Sequence, residues 1–546
     1  MLKKYLFILL CCFTQAVFSQ TKTLPPTLPV KPKLIIGIVV DQMRYDFIYR
    51  YWDKYGNDGF KRLLSQGYSC ENTHYNYVPT YTGPGHSAIF TGSVPAIDGI
   101  VANDWYDRSL GRNVYCVEDD TAHTVGATDK SGKMSPNRLL VTTITDELKL
   151  SDNMKSKTIG ISLKDRAAIL PAGHAANAAY WYDDKTGNFV TSSFYMTTLP
   201  QWVNDFNNQK LADQYLSKPW TTLLPIDQYT ESTADDMPFE DTYKTEAKPI
   251  FPHDLPTLAS SNTGLIRVTP FGDSFTADFA KATIQAEQLG KGQFTDFLTI
   301  NFASTDYVGH QFGPNSIEEE DTYLRLDKDI ANFLSFLDTY LGKDNVLIFL
   351  TADHGVAEVP AYAEMNRIPA GVFSTADAMK ELKEVLQKNF GTDNLISEFE
   401  NQEIYFNDSL IDDKKINERQ LINVVTETLM KMNGVANVIR TEGVIDDLLP
   451  DFEQHILRNS FNAQRSGDLY VEFLPGWFED RAKGTTHGTF YNYDLHVPLL
   501  WYGWKIKNGN STIPTETTDI APTIASLLHI MEPNGCIGKP IEGLTR

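Results

Sequence analysis

Residues 34–41 read Leu-Ile-Ile-Gly-Ile-Val-Val-Asp, an almost unbroken run of apolar and mostly β-branched side chains that ends in an acid. Such a run is typical of a strand that is buried on both faces of a parallel sheet. Three more runs have this character, at 157–163, 297–302 and 346–350. We therefore expect these four segments to form strands of one sheet.

Helical patterns lie between these strands. Ser316 and Glu319 have the spacing of a capping box, apolar side chains follow at helical spacing as far as Leu341, and Gly342 is a stop signal. The alternation of strands and helices predicts an α/β fold with a largely parallel central sheet. Two stretches fit this rhythm poorly. We expect about 167–274 to be an insertion of loops and short elements, and about 375–473 to be a small α+β cap.

The N-terminus has the features of an export signal. Residues 1–19 combine two early lysines, an apolar core and small residues before Gln20, which is the pattern of a secretory signal peptide. The apolar core is too short to cross a bilayer. We therefore expect a signal peptide at 1–19, a Pro-rich lead-in at 20–33 and a catalytic domain at 34–546. The expected location is the periplasm or the outside of the cell, without membrane insertion.

The composition excludes some partners. A formal net charge of −22 argues against sequence-independent binding to nucleic acid or to anionic lipid, because both depend on neutralising phosphates with Lys and Arg. An anionic small substrate would have to be attracted locally, by metal ions or by a few placed cations. Cys70, Cys116 and Cys536 allow at most one disulfide, and a monomer is compatible with the sequence.

Six potential metal ligands follow or adjoin the predicted strands and later motifs. They are Asp41, Asp306, His310, Asp353, His354 and His487. Oxygen and nitrogen ligands in this number suit two zinc ions, if each ion takes three protein ligands and keeps one position open for chemistry. Asp306 and His310 are one helical turn apart, so a helix would put both on one face.

Asp353 and His354 are adjacent, and adjacent strand residues point to opposite faces of a sheet. They can bind one ion only where the chain has left the strand, which Gly355 permits. Each of these acids and histidines alone is more readily explained as a helix cap, a loop residue or a hydrogen-bonded histidine. The set as a whole, and the order of its motifs, carries the argument.

The motifs that carry this order are Asp41 after a strand, Val78–His86 with Thr82, Asp306-x-x-x-His310, Ala352–Gly355, Thr486–Gly488 and the tail Thr518–Ile524. In this order the chain resembles the alkaline phosphatase superfamily, specifically its branch of nucleotide pyrophosphatase/phosphodiesterases and single-threonine phosphatases. The resemblance spans nearly the whole chain after the signal peptide. It implies a three-layer α/β fold and an enzyme that transfers phosphoryl groups.

The resemblance also implies roles for the candidate ligands. Asp41, Asp353 and His354 correspond to ligands of a zinc ion that also contacts Thr82. Asp306, His310 and His487 correspond to ligands of a second zinc ion that faces the leaving group. Two such ions would activate the hydroxyl, and later a water molecule, and would neutralise charge on the departing oxygen.

Thr82 corresponds to the nucleophile of the family, and a covalent phosphothreonine intermediate follows from that role. Thr80 lies in the same short segment and is its rival. Thr82 is favoured because it occupies the family's position before the ending Gly83-Pro84-Gly85-His86. Asn103 corresponds to the residue that hydrogen-bonds a phosphoryl oxygen.

Lys164 and Arg166 bear on the choice between monoesters and diesters. They follow the strand pattern of 157–163 at alternate positions, so we expect their side chains to point the same way and Asp165 to point away. A monoester carries one more charged oxygen than a diester, and Lys and Arg can bind it. The pair also matches the phosphate-binding pair of PafA-type alkaline phosphatases. This favours a phosphate monoesterase, with a nucleotide pyrophosphatase/phosphodiesterase as the alternative.

Other readings fit less well. Sulfatases of the superfamily need a C-x-P-x-R motif, which none of the three cysteines begins. The classical alkaline phosphatase uses serine and a third, magnesium site, and the related phosphoglycerate mutases are cytoplasmic serine enzymes. A secreted binding protein with structural zinc is a further alternative, but structural sites favour four ligands and cysteine.

Overall fold

The computed structural model describes residues 30–260, 262–442 and 449–545. The predicted signal peptide and most of the Pro-rich lead-in lie outside these ranges. The fold is organised on a ten-stranded sheet. From one edge to the other its strands are Gly509–Ser511, Tyr68–Cys70, Leu499–Gly503, Val346–Thr351, Leu34–Val40, Asp296–Phe302, Thr158–Ser162, Ala178–Asp183, Asn188–Ser192 and Thr124–Val125.

The middle of this sheet is parallel, as the sequence predicts. Leu34–Val40 pairs in parallel with Asp296–Phe302 on one side and with Val346–Thr351 on the other, and Thr158–Ser162 continues the parallel set. Antiparallel pairs appear toward both edges, beginning with Leu499–Gly503. The sheet is therefore mixed around a parallel centre.

The alternation along Leu34–Val40 creates two cores and three layers. Ile36, Ile38 and Val40 are buried in one apolar cluster together with side chains of helices Phe271–Ala286 and Ile317–Tyr340. Ile35 and Val39 are buried in another, together with side chains of helices Thr82–Thr91, Ile144–Ser151 and Ile520–Leu528. A strand covered on both faces needs apolar residues at every position, which is the pattern that its sequence shows.

Gly37 interrupts that run for a steric reason. A β-carbon at this position would lie 2.6 Å from the ring of Phe349 and 3.0 Å from that of Phe90. The missing side chain leaves the space that these two aromatic rings fill. The remaining longer helices are Asp165–Ala172, Gln201–Asn208, Ser304–Phe312, Thr375–Phe390, Glu418–Leu429 and Asp451–Ser460.

The stretch 167–274 is only partly the insertion that its composition predicts. Its first part contributes helix Asp165–Ala172 and strands Ala178–Asp183 and Asn188–Ser192 to the central layers. Ala178–Asp183 is buried along its whole length, but Ala, Tyr and Trp stand where the other strands have Val and Ile, so the apolar pattern does not reveal it. Loops and short elements follow after residue 192.

The predicted cap is present as a small α+β unit. Its antiparallel sheet has the order Ile396–Glu400, Glu403–Phe406, Leu469–Phe473, Val435–Arg440. Helices Thr375–Phe390 and Glu418–Leu429 share an apolar core with this sheet. Cys70, Cys116 and Cys536 are free thiols, and no helix of the described ranges is both long and apolar enough to span a membrane.

Candidate active site

The chemically distinctive side chains meet at the carboxyl ends of the parallel strands. Asp41 directly follows Leu34–Val40, and Asp353 comes two residues after Val346–Thr351. Asp306 lies in helix Ser304–Phe312, which begins just after the strand that ends at Phe302. This is the edge at which open α/β sheets bind ligands.

Asp306, His310 and His487 form the first ligand group. Their potential ligand atoms lie within 4.8 Å of one another. His310 Nε2 is 3.1 Å from Asp306 Oδ1, as the one-turn spacing predicts, and His487 Nε2 is 3.6 Å from the same oxygen. His310 Nδ1 lies 2.8 Å from the carbonyl of Thr485, and His487 Nδ1 lies 2.7 Å from that of Thr80. These contacts engage Nδ1 of both rings and leave Nε2 available to a metal.

Asp41, Asp353 and His354 form the second group. His354 Nε2 is 3.6 Å from Asp41 Oδ1 and 3.5 Å from Asp353 Oδ2. The chain has left the strand here, as the sequence requires. A β-carbon on Gly355 would lie 2.1 Å from the carbonyl oxygen of Tyr493, so close backbone packing also demands glycine at this position.

Asp306 is shared between the two groups. Its carboxylate also lies within 4.8 Å of ligand atoms of Asp41 and His354, whereas the resemblance assigns it to one ion alone. The rings of His354 and His487, one from each group, are stacked at 3.5 Å. The six candidate ligands therefore form one continuous cluster.

The electrostatics of this cluster favour added positive charge. Burial and the neighbouring Asp41 raise the pKa of Asp353 well above its usual range. Burial lowers the pKa of His487 to about 4 and that of His354 well below its usual range, so both imidazoles are neutral at pH 7. Asp353 Oδ2 and His354 Nε2 are buried and have no hydrogen-bond partner within the described part of the chain. Buried carboxylates, neutral imidazoles and orphaned lone pairs fit a metal site.

Thr82 is the first residue of helix Thr82–Thr91 and is 1% exposed. Its Oγ1 lies 3.4 Å from Lys164 Nζ and 3.4 Å from Arg166 Nη2. Thr80 differs, because its hydroxyl donates a 3.0 Å hydrogen bond to the carbonyl of Thr489. Of the two threonines, Thr82 is the one beside cations, at a helix N-terminus that also favours anions.

The ending Gly83-Pro84-Gly85-His86 has a packing role. A β-carbon on Gly85 would lie 2.2 Å from the carbonyl oxygen of Asp353, so this helix and the Asp353 segment are in backbone contact. His86 Nδ1 lies 2.9 Å from the carbonyl of Thr82 and 3.4 Å from Asp353 Oδ2. These contacts fix Thr82 relative to the second ligand group.

Lys164 and Arg166 do converge, but not by strand alternation. The strand ends at Ser162, Lys164 is the N-cap of helix Asp165–Ala172, and Arg166 lies in its first turn. Lys164 Nζ contacts Asp41 Oδ1 at 2.9 Å and Asp306 Oδ2 at 2.6 Å. The expectation for Asp165 is also modified, since it accepts a hydrogen bond from Tyr115, whose hydroxyl in turn accepts one from Arg166 Nη1 at 3.1 Å.

Asn103 lies next to the start of the Thr82 helix. Its side-chain oxygen accepts a 2.8 Å hydrogen bond from the Gly83 backbone N–H. This contact fixes the amide plane, and the NH₂ group is the part of the side chain that remains to donate to a ligand.

Sequence reasoning missed Gln42. Its backbone N–H donates to Asp353 Oδ1 at 3.1 Å, and its side-chain Nε2 donates to Asp306 Oδ1 at 2.8 Å, so it touches both ligand groups. Its φ of 64° is in the left-handed region, an uncommon conformation for a residue with a side chain. The only signal in the sequence is its place directly after Asp41.

Comparison with known proteins agrees with this geometry. The family model described as type I phosphodiesterase / nucleotide pyrophosphatase matches residues 35–496. The chain is 48% identical over 538 residues to a Myroides odoratus protein named calcium-transporting ATPase, covering 98% of this chain and 97% of that one. It is 47% identical over 542 residues to alkaline phosphatase PafA of Elizabethkingia meningoseptica, covering 99% and 98%.

The crystal structure of wild-type alkaline phosphatase PafA matches this structure with a TM-score of 0.93 at 47% identity, covering 95% of this chain and 100% of that one. This match confirms the expected three-layer alkaline-phosphatase-like fold. The family model extends over most of the chain, and the relatives extend over nearly all of it. The chain therefore belongs to the type I phosphodiesterase / nucleotide pyrophosphatase family, and within it to the PafA-type alkaline phosphatases.

Proposed function

We propose that this protein is an exported alkaline phosphatase that hydrolyses phosphate monoesters, with Thr82 as its nucleophile. One observation carries the proposal: Lys164 Nζ and Arg166 Nη2 both lie 3.4 Å from Thr82 Oγ1. Two fixed cations beside one hydroxyl suit a dianionic phosphoryl group, which carries one more charge than a diester. The alkaline phosphatase name of the Elizabethkingia relative supports the same activity.

We assign two zinc ions to the cluster. Asp41, Asp353 and His354 would hold the ion beside Thr82, and Asp306, His310 and His487 would hold the ion on the leaving-group side. Carboxylates and imidazoles without cysteine, three for each ion, suit catalytic zinc with an open position. When bound, the ions would lower the pKa of the threonine hydroxyl and of a water molecule and would neutralise charge on the departing oxygen.

The residues of the chain then have defined tasks. Thr82 Oγ attacks phosphorus, the bond from phosphorus to the ester oxygen breaks, and the alcohol leaves as phosphothreonine forms. Water next attacks the same phosphorus, so that phosphate departs and the Thr82 hydroxyl is restored. Lys164, Arg166 and the amide of Asn103 hold the non-bridging oxygens throughout, where their charge and hydrogen bonds stabilise the transition state.

Two alternatives are separated by simple observations. A nucleotide pyrophosphatase/phosphodiesterase, the activity that the family model describes, would prefer a diester and would gain little from Lys164 and Arg166. A non-catalytic zinc-containing binding protein would turn over neither ester. ATP belongs among the assayed substrates because of the name of the Myroides relative, and its terminal phosphoryl group carries the same extra charge as a monoester.

The deciding experiment compares an aryl phosphate monoester with the matched aryl methyl diester, before and after removal of metal by a chelator. We expect the monoester to be preferred, activity to be lost with the metal, and zinc to restore it. A phosphorylated peptide trapped at low pH should map to Thr82. A diester preference, full activity without metal, or trapping at Thr80 would each refute the corresponding part of the proposal.

A further inference from the structure

Three consecutive glutamates begin the long helix Ile317–Tyr340, and each is 0% exposed. Two of them have basic partners. Glu318 contacts His253 Nε2 at 3.2 Å, and Glu320 contacts Lys54 Nζ at 2.5 Å and accepts a hydrogen bond from Ser232. Glu319 differs, because both of its carboxyl oxygens are buried and have no hydrogen-bond partner among the residues that the structure describes. Burying two carboxyl oxygens without hydrogen bonds is uncommon and costs free energy of folding.

Glu319 lies beside the helix that carries Asp306 and His310. A β-carbon built on Gly309 would lie 2.1 Å from Gln42 Oε1 and 3.4 Å from Glu319 Oε1, so both oxygens border the same small space beside this glycine. Gln42 Oε1 is itself buried, and no described residue donates a hydrogen bond to it. The two unsatisfied side chains therefore adjoin each other, and the absence of a β-carbon at Gly309 makes room for them.

The chemistry of Gln42 fixes what this space needs. Gln42 Nε2 donates to Asp306 Oδ1. An ionised Asp306 has no proton to donate, so it can face only the NH₂ group of Gln42. The amide oxygen of Gln42 must therefore point away from Asp306, toward Glu319. An ionised Glu319 would oppose that oxygen with a second acceptor. A neutral carboxyl would instead offer an O–H donor to Gln42 Oε1.

The electrostatic surroundings agree with a neutral carboxyl. Burial, followed by the charges of Asp306 and Asp273, raises the pKa of Glu319 well above its usual range. Arg50 has an opposing effect, but its guanidinium donates hydrogen bonds to Asp46, Asn315 and the carbonyl of Pro314.

We infer that Glu319 is a positioning residue: its protonated carboxyl donates a hydrogen bond to Gln42 Oε1 and so holds Gln42 Nε2 on Asp306. Glu319 then acts on the leaving-group metal without touching it. The inference rests on the proposed role of Asp306 as a metal ligand. Outer hydrogen bonds of this kind typically change metal affinity by about 10-fold to 100-fold.

The test compares Glu319→Leu with Glu319→Gln. Each variant is equilibrated with graded chelator concentrations, and zinc per chain, thermal unfolding, kcat and KM are measured. Glu319→Leu should lose about 10-fold in affinity for its weaker-held zinc and unfold at an equal or lower temperature, because Gln42 Oε1 is left buried without its donor and no longer holds Gln42 Nε2 on Asp306. Glu319→Gln should recover most of that affinity, since its amide can also donate to Gln42.

Matched controls come from the same helical turn and the same cluster. Glu320→Leu should lower the unfolding temperature, because it removes the buried carboxylate that binds Lys54 and Ser232, yet keep zinc affinity. Gln42→Leu should lower zinc affinity, and combining it with Glu319→Leu should add little, because both act through one hydrogen bond. Asp306→Ala is the reference for losing the ligand itself.

The outcomes separate the two levels of the argument. If Asp306→Ala leaves zinc binding intact, the proposed metal assignment fails. If Asp306→Ala loses zinc but Glu319→Leu does not, the role of Glu319 is refuted. The role of Glu319 is also refuted if Glu319→Gln loses as much zinc affinity as Glu319→Leu. Tyr323→Phe removes a neighbouring buried hydroxyl that also lacks a partner among the described residues; if it lowers zinc affinity and Glu319→Leu does not, the role of Glu319 is again refuted.

Discussion

Removing both cations beside Thr82 is expected to abolish the preference for monoesters. In the double change Lys164→Ala with Arg166→Ala, the added charge of a monoester would lose its two nearest fixed partners. A diester carries a neutral substituent in place of that charge. Its hydrolysis should therefore fall much less.

The structure sets the size of the effect. Two unit charges about 4 Å apart interact by about 4 kcal/mol at an effective dielectric constant of about 20. Lys164 is 2% exposed and feels little screening, whereas Arg166 is half-buried and feels more. A contribution of about 2 to 4 kcal/mol for each cation corresponds to about 30-fold to 1,000-fold in rate. Even the lower figure predicts a roughly thousandfold fall in the ratio of monoester to diester kcat/KM for the pair.

The assay measures kcat/KM for an aryl monoester and for its methyl diester on the same preparations, together with zinc per chain. Lys164 also contacts Asp41 and Asp306, so zinc content must be shown to be unchanged. Arg267→Gln is the control: its guanidinium donates to Tyr307 at 3.0 Å and to the carbonyl of Leu163 at 2.7 Å, close to this site. That variant should leave the ratio unaltered. An equal loss of both activities in the double variant would refute the reasoning.

Three further predictions concern the metal ligands, the packing of the Thr82 helix and the pH dependence of stability. Asp306→Ala or His487→Ala should release mainly one zinc ion, whereas Asp353→Ala should also prevent phosphorylation of Thr82; metal analysis and low-pH trapping distinguish them. Gly85→Ala should lower both stability and activity because its β-carbon would lie 2.2 Å from a carbonyl oxygen, while Gly292→Ala, with nothing within 4 Å, should be neutral in the same melts and assays. Burial opposes the charging of His253, but the hydrogen bonds that it donates to Glu246 and Glu318 raise its pKa to about 9. The contribution of charged His253 to the stability of the fold is therefore complete below the unfolded pKa of about 6.5 and is lost as pH rises through about 9. Unfolding temperatures should fall over that pH interval, and His253→Gln should make this fall smaller.

The sequence was most informative where one physical requirement dominates. Strands covered on both faces must be apolar throughout, so the four central strands are visible in the composition alone. Their carboxyl ends then locate Asp41, Asp306 and Asp353. The strand Ala178–Asp183 was missed because aromatic and alanine side chains achieve the same burial without the β-branched pattern.

Contacts that depend on the packing of separate elements could not be predicted from the sequence. The convergence of Lys164 and Arg166 arises from a helix that starts immediately after the strand, and strand alternation was the wrong reason for it. Gln42 belongs to no motif, and its role appears only when the Asp306 helix is packed against it. The position of Asp306 between both ligand groups likewise depends on the distances between separate elements.

The protein and a dianionic ester are both negatively charged, so the groups at the site must overcome this repulsion. A net charge of −22 repels a dianionic ester at long range, and the candidate ligands add further carboxylates at the point of binding. Lys164 already contacts two of these carboxylates, so its charge alone cannot attract the substrate. Under the proposed function, binding a dianion would require metal ions in the ligand cluster, which would neutralise the carboxylates and leave Lys164 and Arg166 to the phosphoryl group. Metal binding and monoester selectivity are consequently two parts of one electrostatic arrangement, centred on Thr82.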